Sequence, residues 1–158
     1  MKKRLLWLIL PLLLWTAVCS AAVSQADFSM GEISLFSHKD IDIIEKFGHA
    51  KKQMTDDQRQ PPLDYFIYPG IRFGIVQPTG EIAFMSVDTG AYQTVRGIKV
   101  GGTVYKVVKE YGEPERQTIK GHRYYVYRLE SDPTYRLMFD MSEGYVSRII
   151  LTKLSDLP

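Results

Sequence analysis

Apolar residues recur at helical spacing in two short stretches of the chain. In residues 103–112 one face is apolar at positions i, i+3, i+4 and i+7, which are Val104, Val107, Val108 and Tyr111. Thr103 is a suitable N-cap for this helix, and Gly112 is a suitable left-handed C-terminal stop. Residues 40–48 show a similar pattern, with an apolar face of Ile41, Ile44 and Phe47. The spacing therefore predicts two short helices, each ending in an aromatic residue followed by glycine.

Six runs rich in aromatic and β-branched residues predict β-strands. They cover residues 65–68, 71–76, 82–87, 123–128, 135–140 and 145–152. Pro78-Thr79-Gly80 and Ser142-Glu143-Gly144 are tight turns between the last two strands of each group of three. Strands joined by such short turns run antiparallel.

Each helix and the strands after it match the other set at a spacing of 64 residues. Phe47-Gly48 aligns with Tyr111-Gly112, and Gly80 aligns with Gly144. Self-similarity at a fixed spacing indicates a duplicated unit. We therefore predict an α+β fold of two tandem helix-plus-three-stranded antiparallel meander repeats that share one continuous sheet. The N-terminal linker, repeat 1 and repeat 2 are predicted at residues 23–32, 33–94 and 95–158.

A secretory signal peptide is predicted at residues 1–22. Residues 1–4 are basic, residues 5–18 are apolar, and small residues follow. Signal peptidase requires small residues three and one before the cut, a rule met by cleavage after Ala21, Ala22 or Ala26. We therefore expect an exported protein, periplasmic or extracellular, with no membrane span after cleavage.

Two alternatives to a cleaved leader depend on single residues within it. An uncleaved membrane anchor would be interrupted by Pro11 and is only just long enough to span. A lipid anchor would attach at Cys19, but the branched Val18 before it fits the lipidation box poorly. If Cys19 leaves with the leader, the exported chain has no disulfide and no thiol nucleophile, because it is the one cysteine of the sequence.

The formal net charge of the chain changes sign when the residues of the predicted leader are excluded. The 158 residues carry a formal net charge of +2, but three of the 20 basic residues lie in the leader. The remainder has 17 basic and 18 acidic residues. Nucleic acids and anionic membranes require a basic surface, so neither is expected as a partner.

Residues 95–114 resemble the opening of a known family of small modules. The run Gly97-Ile98-Lys99-Val100-Gly101-Gly102-Thr103, with the later Val107 and Tyr111-Gly112-Glu113-Pro114, is similar to that of the SmpA/OmlA (BamE-type) modules. It is also similar to the tandem modules of β-lactamase-inhibitory proteins. The resemblance implies a helix packed on an antiparallel sheet, in an exported envelope protein or a secreted inhibitor. The first copy lacks the leading glycines, and the chain departs from the single-copy lipoproteins typical of the BamE type.

No catalytic or metal-binding pattern accompanies these elements. His38, His49 and His122 form no i,i+4 ligand pair, and Asp56-Asp57 lacks the alternating acidic ligands of a calcium loop. A serine nucleophile elbow is also missing from the sequence. We therefore expect no catalytic residue, metal or cofactor, and no small-molecule ligand is indicated.

Tyrosine and arginine side chains are concentrated on the first two predicted strands of each repeat. These residue types dominate protein-binding hot spots, so they form a candidate binding surface: Tyr65, Tyr68, Tyr124, Tyr125, Tyr127, Tyr135, Arg72, Arg123 and Arg136. The alternative is that cross-strand pairs of these residues only stabilise an exposed sheet.

The combination of an export signal, a repeated module and no catalytic pattern leads to a functional hypothesis. We expect a non-catalytic protein-binding or envelope-associated module whose partner is another exported or envelope protein. The alternatives are an inhibitor of a secreted enzyme and a hydrolase of unrecognised type.

Overall fold

The computed structural model of the protein describes residues 22–158, with Lys52 described by its backbone alone. The predicted signal peptide and the lipidation alternative at Cys19 fall on residues 1–21, outside the described part. Within residues 22–158 no helix is long and apolar enough to cross a membrane.

The described chain contains two short helices and ten strands. The helices are α1 (Asp40–Phe47) and α2 (Val104–Tyr111), and a single 3-10 turn covers Gln25–Phe28. The strands are β1 (Ser29–Met30), β2 (Ile33–Ser34), β3 (Lys52–Asp56), β4 (Leu63–Tyr68), β5 (Ile71–Val76), β6 (Glu81–Val87), β7 (Glu115–Ile119), β8 (His122–Arg128), β9 (Arg136–Asp140) and β10 (Arg148–Thr152).

Eight of the strands form one antiparallel sheet in the order β3-β4-β5-β6-β10-β9-β8-β7, and β1 pairs with β2 in a separate two-stranded sheet. The N-terminal half (α1 and β3–β6) and the C-terminal half (α2 and β7–β10) meet where β6 pairs with β10. Val87 lies opposite Ile149 and Met85 opposite Leu151 in this central pair. Residues distant in sequence therefore become neighbours in the middle of the sheet.

The predicted fold of two helix-plus-three-stranded repeats is wrong. The protein is mostly β, and each half has four strands in the large sheet because β3 and β7 pair with the outer sides of β4 and β8. These two edge strands escaped prediction because their sequences, KQMTD and ERQTI, are polar and their pairing is made by backbone groups. The segment 23–32, predicted to be a linker, contributes Val23, Phe28 and Met30 to the buried core.

Both helices end at a glycine with a positive φ, but neither glycine is in the left-handed helical region. Gly48 has φ 76° and ψ −170°, and Gly112 has φ 79° and ψ −169°. This backbone conformation is essentially restricted to glycine. The N–H groups of Gly48 and Gly112 donate to Ile44 O and Val108 O, each at 2.8 Å.

The two faces of the large sheet are covered differently. On one face α1 and α2 pack over the main core, which includes Ile43, Phe73, Val107 and Phe139. The other face, which we call the helix-free face, carries a smaller core that Leu154 and Leu157 of the C-terminal segment cover in part. The residues of this smaller core include Tyr65, Phe84, Tyr124, Met138 and Ile150. Incomplete coverage leaves part of the helix-free face accessible.

Candidate binding groove on the helix-free face

Two adjoining depressions lie on the helix-free face, with volumes of about 360 and 160 Å³. They share Arg72, Arg148 and Pro158 in their linings, and we refer to them together as the arginine groove. Ile67 lines one depression and His122 lines the other. The groove therefore runs across several strands of the sheet.

Strand pairing brings the central groove residues together. Arg72 on β5 lies opposite Ser86 on β6, and Ser86 lies opposite Ile150 on β10. Arg148 is two residues before Ile150, so it points to the same face of the sheet. Arg72, Ser86 and Arg148 therefore converge although 76 residues separate the two arginines along the chain.

The guanidinium of Arg72 rests on aromatic rings. Its central carbon lies 5.1 Å from the centroid of the Phe84 ring and 5.7 Å from that of the Tyr65 ring, within the range of cation–π attraction. Burial lowers the pKa of the Arg72 guanidinium, and the positive charge of Arg148 acts in the same direction. An arginine nevertheless stays charged in proteins, so the groove holds two neighbouring positive charges.

A histidine and a buried aspartate lie at one end of the groove. Nδ1 of His122 is 2.8 Å from Oδ2 of Asp140, and the Ser142 hydroxyl donates to Oδ1 of Asp140 at 2.6 Å. Burial alone would raise the pKa of Asp140, but hydrogen bonds from Ser142 and His122 outweigh it and the pKa is lowered. Asp140 is therefore an ionised, satisfied carboxylate that orients the His122 ring.

The predicted tyrosines lie in several environments. Tyr65, Tyr68, Tyr124 and Tyr127 are buried, whereas Tyr125 and Tyr135 are half-buried. Tyr65 and Tyr124 belong to the core of the helix-free face, and the other four pack on the helix side.

The predicted arginines are also divided. Arg72 lies in the arginine groove, whereas Arg136 is buried and donates to the carbonyls of Leu154 and Ser155. Arg123 donates to Ser142 O, and with Tyr125 it lines a separate depression of about 330 Å³. The structure thus brings Arg72, Tyr68 and Tyr124 to the lining of the arginine groove, and the remaining predicted residues lie outside that lining.

Sequence reasoning missed Arg148 and Ser86 as groove residues. Each lies inside a run that was predicted to be a strand, but neither is part of a tyrosine cluster. The β5–β6 pair places Ser86 opposite Arg72, and only the pairing of β6 with β10 brings Arg148 beside them. Among residues 22–158 no group of three or more His, Cys, Asp or Glu side chains could hold a metal ion.

Comparisons by sequence and by structure gave different results. No family model and no curated protein sequence matches the chain. Among solved structures, a DUF4309 family protein (YjgB) from Bacillus subtilis has a TM-score of 0.52 at 17% identity, covering 77% of this chain and 82% of that chain. The uncharacterized protein yfeY from Escherichia coli has a TM-score of 0.52 at 13% identity, covering 82% and 99%.

A third solved structure is an extracellular protein containing an SCP domain from Bacillus anthracis, with a TM-score of 0.51 at 7% identity. The match covers 96% of this chain and 49% of that chain, so the present chain spans about half of its length. At these identities the similarity shows the fold alone.

Proposed function

We propose that the chain is an exported, non-catalytic binding module that engages another exported protein through the arginine groove. The observation that carries the proposal is the open part of the helix-free face. There two charged arginines, Arg72 and Arg148, lie half-exposed beside apolar side chains such as Ile67, and Pro158 of the C-terminal segment borders them.

The composition of the groove supports recognition of a protein. Arginine and tyrosine are enriched at hot spots of protein interfaces, where an apolar surrounding excludes water from the charged contact. Arg72 is already held against Phe84 and Tyr65, so its ordering costs less entropy on binding.

The His122 cluster supports a binding role over hydrolysis. A serine nucleophile needs its hydroxyl on the base, which in turn is oriented by a carboxylate. Here the Ser142 hydroxyl donates to Asp140, and it lies 3.5 Å from Nδ1 of His122, the same nitrogen that contacts Asp140. The three residues therefore do not have the nucleophile–base–carboxylate order.

The place of action is proposed to be the periplasm or the extracellular space. The leader pattern of residues 1–22 supports this, as does the resemblance of residues 95–114 to envelope and inhibitor modules.

A pair of matched substitutions tests the proposal. Ile67→Asn changes the groove, and Ile41→Asn makes the same chemical change on α1, where Ile41 is exposed on the helix side. The exported protein would be immobilised and incubated with envelope and secreted fractions, and captured partners would be identified by mass spectrometry. We expect Ile67→Asn to lose a partner that the wild type and Ile41→Asn retain, with thermal melts confirming that both variants are folded.

Three outcomes would contradict the proposal. They are the capture of no exported protein by the wild type, an unchanged partner with folded Ile67→Asn, and equal loss with Ile41→Asn.

A further inference from the structure

We infer that the arginine groove receives an acidic segment of the partner protein, whose carboxylates pair with Arg72 and Arg148. The inference rests on the proposed function and names the chemistry of the partner.

The two groove arginines differ from the other arginines of the described chain. Of the eight arginines in residues 22–158, six donate to a carboxylate or to a backbone carbonyl, and Arg72 and Arg148 do neither. The arginines bonded to carboxylates are Arg59, Arg96, Arg116 and Arg128, and those bonded only to carbonyls are Arg123 and Arg136. Within residues 22–158, Arg72 and Arg148 are thus the two arginines without such a hydrogen bond, although Arg148 lies opposite Asp140 in the β9–β10 pair, and both line the same groove.

The unpaired guanidiniums favour an anionic ligand. Each has a planar set of donors that matches the two oxygens of a carboxylate. Arg72 is partly removed from water by Phe84 and Tyr65 and is repelled by Arg148. A carboxylate between them would replace that repulsion with attraction, in a place where less water screens it.

The side chains that line the groove carry a net positive charge. Lys120 lines it and donates to the carbonyl of Leu157. Asp88 is the one acidic side chain of the lining, and its charge acts on Arg72 in the direction opposite to that of Arg148. Asp140 lies outside the lining, opposite Arg148 in the β9–β10 pair, and contacts Ser142 and His122.

The length of the groove favours a chain segment over a small ion. Its lining extends from Ile67 on β4 to His122 on β8, which are separated by four intervening strands. Adjacent strands lie about 4.8 Å apart, so the groove crosses roughly 24 Å of sheet. An extended segment of about seven residues spans that distance at about 3.3 Å per residue.

Peptide binding tests the inference directly. Fluorescein-labelled hexaglutamate and hexaglutamine would be titrated with the purified exported protein at low salt, and the affinity followed by fluorescence anisotropy. We expect hexaglutamate to bind and hexaglutamine not to bind. Arg72→Gln and Arg148→Gln should each weaken hexaglutamate at least about tenfold, because each removes a charge-assisted pair.

The matched control is Arg128→Gln, which removes the same charge from the same sheet at an arginine that already pairs with Glu115. It should change the affinity less than about twofold, since it lies outside the groove. If Arg128→Gln weakened hexaglutamate binding as much as the groove variants do, the peptide would be attracted by the net charge of the protein alone, and the inference would be overturned. Unchanged binding in folded Arg72→Gln and Arg148→Gln, or no binding of hexaglutamate to the wild type, would also overturn it.

Inorganic phosphate distinguishes an acidic segment from a small anion. At equal concentrations phosphate should displace little hexaglutamate, and full displacement would identify a small-anion site instead. The capture experiment separates the two levels of the proposal. Suppose that Ile67→Asn loses the partner and the Arg72→Gln, Arg148→Gln double variant retains it. This result would support the proposed binding function and would overturn the inference that the partner presents an acidic segment.

Discussion

The two halves of the molecule end their helices in the same way but support them differently. In the C-terminal half the Tyr111 ring lies 5.3 Å from the Tyr127 ring and 5.4 Å from the Phe139 ring. In the N-terminal half the Phe47 ring lies 5.3 Å from Tyr68 and 5.5 Å from Phe73.

The difference lies in what covers these aromatic residues. Tyr111 is 1% exposed, because the Arg96 guanidinium stacks 4.5 Å above its ring and pairs with the buried carboxylate of Asp27. Arg96 also donates to Ala22 O and Glu110 O, which ties the first described residues to α2. Phe47 is half-buried, and within residues 22–158 its ring meets the Tyr92 ring at 6.3 Å instead of an arginine–aspartate pair. The two helix ends thus have the same backbone conformation, but only in the C-terminal half does a segment from the start of the described chain cover the aromatic residue.

The largest effect is expected from breaking the Asp27–Arg96 pair. Asp27→Asn should lower the free energy of unfolding by about 3 kcal/mol, since it leaves the partner charge of a buried pair uncompensated. The counterpart in the N-terminal half is the exposed Glu32–Lys46 pair, where Glu32→Gln should have little effect. Urea denaturation of the three proteins measures the difference, and similar midpoints for the two variants would contradict this account of Tyr111.

The Asp27–Arg96 pair should make the free energy of unfolding depend on pH in the acidic range. Burial would raise the pKa of Asp27, but hydrogen bonds from Arg96 and Ser24 outweigh it, so the pKa lies below its usual value of 3.8. The ionised carboxylate therefore stabilises the fold fully above pH 3.8, and this stability is lost as the pH falls toward the lowered pKa.

Denaturation midpoints measured from pH 6 to pH 2.5 would test this sign. The wild type should lose stability faster than Asp27→Asn over that range, whereas parallel curves would show that Asp27 does not contribute. Asp140, whose pKa is also lowered, should leave a residual slope in the variant.

A smaller and equal effect in both halves is expected at the two helix-ending glycines. Gly48→Ala and Gly112→Ala should each cost about 2 kcal/mol, because their positive φ with ψ near 180° is essentially open to glycine alone. Thermal unfolding of the two variants gives the comparison. A large inequality would mean that one helix end relaxes to another conformation.

The smallest effect concerns the tyrosines that bond these glycines. The Tyr68 hydroxyl donates to Gly48 O at 2.8 Å, and the Tyr127 hydroxyl donates to Gly112 O at 2.9 Å. Tyr68→Phe and Tyr127→Phe should each destabilise by about 1 kcal/mol, the net value of one such hydrogen bond. Urea denaturation would resolve this, and an unaffected variant would show that water replaces the lost donor.

Local patterns could be predicted where each residue depends on near neighbours in sequence. The apolar stripe from Val104 to Tyr111 and the glycine after it predict α2 and its end, since helical spacing and glycine's backbone freedom act within a few residues. The polar strands β3 and β7 were missed, because backbone pairing with β4 and β8 forms them without an apolar face of their own.

The candidate site was predictable only in part. Arg72, Tyr68 and Tyr124 belong to the predicted tyrosine–arginine set and line the groove. Tyr127, from the same set, is buried against Tyr111, because the predicted strand could not show which face the helices would cover.

The sequence by itself determined the two helix ends, the main strand runs and the pattern of a leader, all of which follow from spacing over a few residues. Only the tertiary structure decided that Arg72 and Arg148 converge in one groove, where neither forms a salt bridge with another residue of 22–158. Their convergence requires β10 to pair with β6 across the centre of the sheet, a contact between residues more than 60 positions apart. No local rule encodes such a pairing, because it depends on how the whole apolar surface of both halves is buried.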